Sequence, residues 1–421
     1  MTHLMLSFFN MALSGNNFYS KWAEYLGILI EDTVSKVSLW KRMNNEQVRC
    51  LQLILEETFK VKVSHQLLSS LKDNILFSPF GNVYIQDSTI VSLPDELCVL
   101  YKGSVTKGKQ KSSIRIQAIY DLFSGCFKEF SLNSFTQNDQ SAANDIVSLL
   151  KPGDLVIRDL GYFVLKTFKN IVDAGAYFVS RFRYGVNIYD AKIGVQIQLK
   201  EICKRDIVDM KVKIGGDTKL ECRIVAIKLP DHVAAERRRK AINDRDKRKN
   251  HNKEYMDLLS WSIFITNIDK EVWNADKIIK AYRLRWHIEI IFKGWKSHFN
   301  IVSLVPERPK INRSSERYLL LYKNRIDSVI YMMLLFIIIF QINIYVLLLE
   351  RIFQKYQKLI SMIKLSSYIA KHRERFFECV EISEIEREIA YFAAYEKRHK
   401  RHNHLEMYID LFSNQLIKTR S

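Results

Sequence analysis

Tyr282, Arg285, Glu289 and Lys296 follow one another at offsets of three, four and seven residues within the stretch AYRLRWHIEIIFKGWKSHFN. Projected as one continuous helix over residues 281–300 at about 100° per residue, the phenol, the carboxylate and the two cations fall on one stripe. Leu284, Ile288, Ile291 and Trp295 fall nearly opposite, so the helix is expected to pack its apolar face on a sheet. A solvated face with an Arg285–Glu289 surface ion pair fits the same residues. Two other carboxylates favour a chemical role. Asp87 interrupts the β-rich run VYIQDSTIV, and Asp159 follows the apolar strand LVIR directly. Asp159 could equally cap a helix beginning at Tyr162. Three clustered carboxylates repel one another unless a cation joins them, and hard divalent ions prefer oxygen ligands with open water positions. Asp87, Asp159 and Glu289 are therefore expected to hold two Mg²⁺ (or Mn²⁺) ions about 4 Å apart, a pair suited to in-line displacement at a phosphodiester. Arg285 and Lys296 would hold phosphates beside the cut, and Tyr282 would add a hydrogen bond.

The elements that must position these groups are visible as changes of period. Residues 1–75 read as helical, with Ser38 as an N-cap, and GILIEDTVSKVSLWKRM has a helix-turn-helix rhythm that offers Lys36, Lys41 and Arg42 to phosphates. From Asn82 the period becomes two: a strand over NVYIQDSTIVSL, then a hairpin of SSIRIQAIYDL and CFKEFSLNSF. Next come a helix over 139–150, the strand DLVIRD, a helix over 162–173 and the strand AYFVSRFR. The expected fold is α/β with a mixed sheet, since a hairpin is combined with parallel strands. On such a sheet Asp87 and Asp159 are expected side by side. Residues 184–259 alternate like a small β meander and end in a basic run containing Arg237, Arg238 and Arg239, which is expected to contact phosphate. Sheet patterning resumes at WSIFITNI, and the chain is expected to be helical after residue 311.

Together, QDST at Asp87, DLGYF at Asp159 and the Tyr282, Arg285, Glu289, Lys296 spacing resemble the DDE transposases of bacterial insertion sequences, in the branch with a Tyr-Arg-Glu-Lys signature. The resemblance covers residues 80–300. It implies a ribonuclease-H-like mixed sheet with a β-rich insertion between the second Asp and the Glu, flanked by helical N- and C-terminal regions. It also implies metal-dependent cutting and strand transfer at transposon ends through a hairpin intermediate, by a homodimer on double-stranded DNA with terminal inverted repeats and on target DNA. Family members use a tryptophan near the end of the insertion to occupy the space of a flipped base. Trp261 is at a comparable location, with Trp286 and Trp295 as competitors.

The bulk composition agrees with a polyanionic partner: 65 Lys and Arg against 46 Asp and Glu give a net charge of +19. Six scattered cysteines without a CxxC pair read as reduced thiols rather than a zinc site or a disulfide framework. The start MTHLMLSFFNMALSGNN lacks the pattern of a signal peptide, so export is not expected, and the resemblance implies a bacterial cytoplasmic, DNA-associated location without a membrane. VIYMMLLFIIIFQINIYVLLL, residues 329–349, is long enough to span a bilayer, but basic residues flank both sides and a buried core element is preferred. The His-rich KRHKRHNH, residues 397–404, reads as a solvated tail. The expected organisation is a helical DNA-end-binding domain over 1–75, a catalytic core over 76–183 and 260–310, an insertion over 184–259 and a helical region over 311–421. Two alternatives are a catalytically inactive DNA-binding protein on the same scaffold and a membrane-anchored basic protein.

Overall fold

The computed structural model describes residues 2–15, 19–61, 68, 74, 76–204, 206–216, 219–244, 252–299, 316–377 and 382–394. The basic run beyond Asp244 and the His-rich residues 397–404 lie outside them. The chain divides into two compact units, one of Met1–Leu71, Asp87–Gln137 and Trp286–Ser421, the other of Lys72–Gln86 and Asn138–Arg285.

The first unit begins with α1 (Thr2–Ser14), α2 (Tyr19–Ile30), α3 (Lys36–Arg42) and α4 (Asn45–Lys60). Ser38 lies inside α3 and caps nothing; Ser35 is the N-cap, and its side chain accepts from the Ser38 N–H. Asn44 caps α4 in the same way through the Gln47 N–H. β1 (Val83–Leu93) contributes its second half to this unit, followed by β2 (Lys102–Thr106), β3 (Lys109–Asp121) and β4 (Cys126–Ser134). β3 and β4 form the expected hairpin, and β2 also pairs with β3, a strand that the sequence pattern does not announce.

The second unit holds the first half of β1 with β5 (Leu155–Arg158), α5 (Leu165–Asp173) and β6 (Tyr177–Arg181). β1, β5 and β6 are parallel neighbours in register Val83↔Leu155↔Tyr177 through Gln86↔Arg158↔Ser180. The helix expected over 139–150 is only a 3₁₀ segment, Asp145–Leu149, preceded by turns. Ser141 and Asn138 bond locally to neighbouring backbone there, the competition that disfavours α-helix. The insertion supplies β7 (Ile188–Asp190), β8 (Gln196–Ile197), α6 (Leu199–Ile202), β9 (Ile207–Ile214), β10 (Leu220–Lys228), α7 (Asp231–Ile242) and α8 (Lys253–Leu258). β11 (Trp261–Thr266) then runs antiparallel to both β6 and β10, so the insertion's strands extend the sheet beyond β6 instead of forming a separate layer.

The order β4-β3-β1-β5-β6, an antiparallel hairpin beside three parallel strands, is a ribonuclease-H-like core. The stretch 281–300 is not one helix. α9 (Ala275–Arg283) and α10 (Trp286–His298) are separated at Leu284 and Arg285, whose N–H groups donate to the Ala281 and Tyr282 carbonyls. These short i→i−3 bonds tighten and end α9. The break coincides with the boundary between the units, so each half packs into a different core.

In the first unit, α10 buries Ile288, Ile291, Phe292 and Trp295, and Trp295 meets Phe127 and Phe130 of β4 at ring-centroid distances of 5.3 and 5.8 Å. α11 (Glu316–Ile339), a π-helical segment Phe340–Val346 and α12 (Leu347–Tyr356) contain the span-length apolar stretch. Its most apolar window is 78% buried inside the protein, as a core helix is. Gln341, fully buried, donates to the Gly125 carbonyl in the β3–β4 turn at 3.1 Å, while Asn343 is exposed. α13 (Met362–Lys371), α14 (Arg373–Phe377) and α15 (Ile382–Phe392) complete the described chain.

Candidate active site

In the second unit, Asp159 sits where β5 ends and the backbone turns into a 3₁₀ segment, Leu160–Tyr162. It holds the N-cap position but its side chain makes no capping bond. Its carboxylate serves other partners. The Tyr282 hydroxyl donates to Oδ1 at 3.3 Å, and Arg285 Nε lies 3.8 Å from the same oxygen. The guanidinium also lies over the Tyr282 ring at 5.8 Å. Asp159 is 42% exposed against 10% for Arg285, so the acid faces solvent while its cation is anchored in protein. Burial, reinforced by Asp159, pushes the Tyr282 phenol well above its ordinary pKa despite the opposing effect of Arg285, and the group remains a hydrogen-bond donor through the physiological range.

A cleft of about 470 Å³ is lined among others by Leu160, the residue after Asp159, and by Arg181, Tyr184, Arg237, Tyr255 and Trp261. Trp261 is half-buried at the start of β11, and its carbonyl accepts from Arg237 Nη1 at 3.0 Å. Arg237 also donates to Ser262 Oγ at 3.2 Å, and burial, with Arg181 nearby, lowers its pKa. Arg238 donates to the Met256 carbonyl and to Ser260 Oγ. Of the three consecutive arginines, Arg239 is the exposed one.

In the first unit, Asp87 is half-buried on β1 and accepts from the Ser88 N–H at 2.8 Å. Glu289 lies in the first turn of α10, where the helix dipole favours a carboxylate, and is also half-buried. Lys296, in the last turn, is exposed, as are Lys41 and Arg42 at the end of α3. Trp286 is 43% exposed and Trp295 lies in the core at 1%.

The break at Leu284–Arg285 therefore divides the four-residue pattern: Tyr282 and Arg285 attend Asp159, while Glu289 and Lys296 share α10. Three carboxylates are a donor set whose chemistry suits a hard divalent ion. Among the described residues, no three His, Cys, Asp or Glu side chains are gathered as one metal cage.

Pattern reasoning passed over Arg181 and the buried pair Gln86 and Arg158. For Arg181 a signal existed, because period-two alternation in VSRFR puts Arg181 and Arg183 on the same face.

Fold and site together define a ribonuclease-H-like α/β protein with an acid at the end of the strand following the hairpin. Residues 78–308 match the family model described as "Transposase DDE domain", and the chain belongs to that family. It is 30% identical over 289 residues to the transposase for insertion sequence element IS231B of Bacillus thuringiensis subsp. berliner, covering 64% of this chain and 60% of that one. To the transposase for IS1151 of Clostridium perfringens it is 27% identical over 303 residues, covering 67% and 63%. The chain thus matches somewhat under two thirds of the length of these relatives. Among solved structures, a piggyBac transposase synaptic complex with hairpin DNA aligns with a TM-score of 0.40 and 12% identity, covering 95% of this chain and 77% of that one.

Proposed function

We propose that the protein is a DNA transposase that cleaves phosphodiesters at insertion-sequence ends and transfers the strands, with Asp87, Asp159 and Glu289 as the ligands of two Mg²⁺ or Mn²⁺ ions. The observation that carries the reading is the treatment of Asp159. An aspartate in a capping position leaves the backbone uncapped and instead meets the tyrosine and arginine of the signature.

When bound, the ions supply an activated water or 3′-hydroxyl and stabilise the leaving oxygen. The chain's own part is positional. Tyr282 and Arg285 orient Asp159, and Arg285, with Lys296, offers positive charge to phosphates flanking the scissile bond. Trp261, on the cleft lined also by the residue after Asp159, is the residue for a hairpin step, in the space vacated by a flipped base. Lys41, Arg42 and, of the three arginines at 237–239, the exposed Arg239 are the phosphate contacts, while Arg237 and Arg238 hold the segment that carries Trp261, and the helices over 1–75 are the end-binding region. The active form is a homodimer on paired inverted repeats in the bacterial cytoplasm.

Supercoiled DNA carrying the sequences that flank the gene tests the reading. With Mg²⁺ the protein should nick or excise; Glu289→Ala should abolish cutting while leaving end binding in EDTA within about twofold, because metal ligation and phosphate contact are separate contributions. Cleavage at the parent rate by Glu289→Ala would remove Glu289 from the site.

A further inference from the structure

Arg158 is fully buried, and no ion pair joins it to a carboxylate among the described residues. Its partners are neutral. Gln86 Oε1 accepts from Nε at 3.1 Å and also from Nη2, the Ala143 carbonyl accepts from Nη2, and the Tyr162 ring lies 5.5 Å from the guanidinium. Nη1 has no hydrogen-bond partner. Burial lowers the pKa to about 9, with Tyr162 and Asp145 partly offsetting it. Gln86, 1% exposed, passes the connection on by donating Nε2 to the Ala142 carbonyl at 2.9 Å. A buried cation without a counter-charge is expensive to desolvate, and an apolar residue of similar volume would fill the site more cheaply.

The location gives the pair a use. Gln86 and Arg158 are register partners on the parallel strands β1 and β5. The next residue of β1 is Asp87, and the next after β5 is Asp159. A one-residue slip between strands would send each following side chain to the opposite face of the sheet. The bonds from Gln86 to Arg158, and from both to the carbonyls of Ala142 and Ala143, fix the register and the depth of the two strand positions from which the acids depart.

We infer that Gln86 and Arg158 are a positioning pair for the metal-binding aspartates, setting the backbone from which Asp87 and Asp159 reach the ions. The inference rests on the catalytic assignment of those aspartates. Neither Gln86 nor Arg158 is assigned as a ligand; both act through their neighbours, and groups that orient metal ligands are worth roughly 10–100-fold in metal affinity or activity.

The test uses the full chain with Gln86→Leu/Arg158→Met, which replaces the polar pair by apolar residues of similar volume, and separately with Arg158→Lys, which keeps the charge but loses the fork. Four quantities are measured: thermal midpoint, end binding in EDTA, cleavage as a function of Mg²⁺ concentration, and Mn²⁺ binding by electron paramagnetic resonance. The expected result is a folded protein with parental end binding in EDTA, Mn²⁺ affinity reduced about tenfold, and a matching rise in the Mg²⁺ needed for half-maximal cleavage. A folded double variant with parental metal dependence overturns the inference. If the double variant does not fold, Arg158→Lys decides by the same readouts, and failure of both to fold makes the pair a core element only, which also overturns it. Asp159→Asn in parallel separates the two levels: if it still cleaves, the catalytic assignment has failed, whereas an inactive Asp159→Asn beside a fully parental double variant sinks the positioning role alone.

Discussion

Asp159 shows how much one residue's surroundings decide. Its sequence context allowed a helix cap or a metal ligand, and the capping position is indeed occupied, but the carboxylate faces Tyr282 and Arg285. The signature spacing could be read directly, because three, four and seven are distances that a chain scan detects. Gln86 and Arg158 could not be read that way. At a strand's end an arginine is ordinarily taken as solvated, and only the register shows that it points into the interior. The Tyr282 hydroxyl bond at 3.3 Å is long, but its acceptor is charged. Tyr282→Phe is therefore expected to slow single-turnover cleavage by about tenfold without changing end binding in EDTA. Arg285→Ala, which removes both the ion pair and the cation over the ring, should cost more. An unchanged rate for both would mean that Asp159 does not depend on them.

At the scale of elements, β1 and the β3–β4 hairpin were legible because alternation marks them, whereas β2 was not, and of the buried face of α10 the sequence shows Ile288, Ile291 and Trp295 but not Phe292 or His287. The break between α9 and α10 was not legible either. It contains neither Gly nor Pro, the residues that usually announce a boundary; it arises because the two helices pack into different cores. The short 3₁₀ segment Asp145–Leu149 looks like a longer helix in sequence because the local bonds of Asn138 and Ser141 that replace its first turns involve no Gly or Pro to mark them. The triple-arginine run also divides once its helix is in place. Arg237 and Arg238 clip α7 to the α8–β11 segment through bonds to Trp261, Ser262, Met256 and Ser260, whereas Arg239 is open to solvent. Arg239→Ala should weaken DNA binding and reduce its salt dependence by about one counterion, with little change in thermal midpoint. Arg238→Ala should instead lower stability by about 1 kcal/mol, since it removes the donor of two half-buried acceptors. Titrations at several salt concentrations, paired with thermal melts, separate the two. Equal loss of stability in both variants would contradict the division.

Over the whole molecule, the positive charge was legible from composition alone, and the apolar stretch 329–349 was preferred as a core element on its flanking charges, a reading that fits its 78% burial and the buried place of one of its two polar residues. Gln341 is that residue. Besides Gly125, it donates to the Tyr120 hydroxyl at 3.5 Å, and that hydroxyl lies 3.5 Å from Nε2 of His287 on α10. All belong to the first unit, so the hairpin turn, the π-helical segment and the helix of Glu289 meet through one polar chain inside an apolar core. Burial pushes His287 down to about 4, whereas an unfolded histidine titrates near ~6.5. The unfolded chain therefore takes up a proton that the folded one refuses between those values. Stability tied to this residue is intact above about pH 6.5, falls as the pH drops through that window, and levels off below about pH 4. By pH 5 the loss should be about 2 kcal/mol. Urea unfolding at pH 7 and pH 5 measures it, and His287→Gln, uncharged at both, should lose correspondingly less on acidification. If parent and variant lose equal stability, His287 is not a source of acid sensitivity, and the core around the Glu289 helix must tolerate an imidazolium.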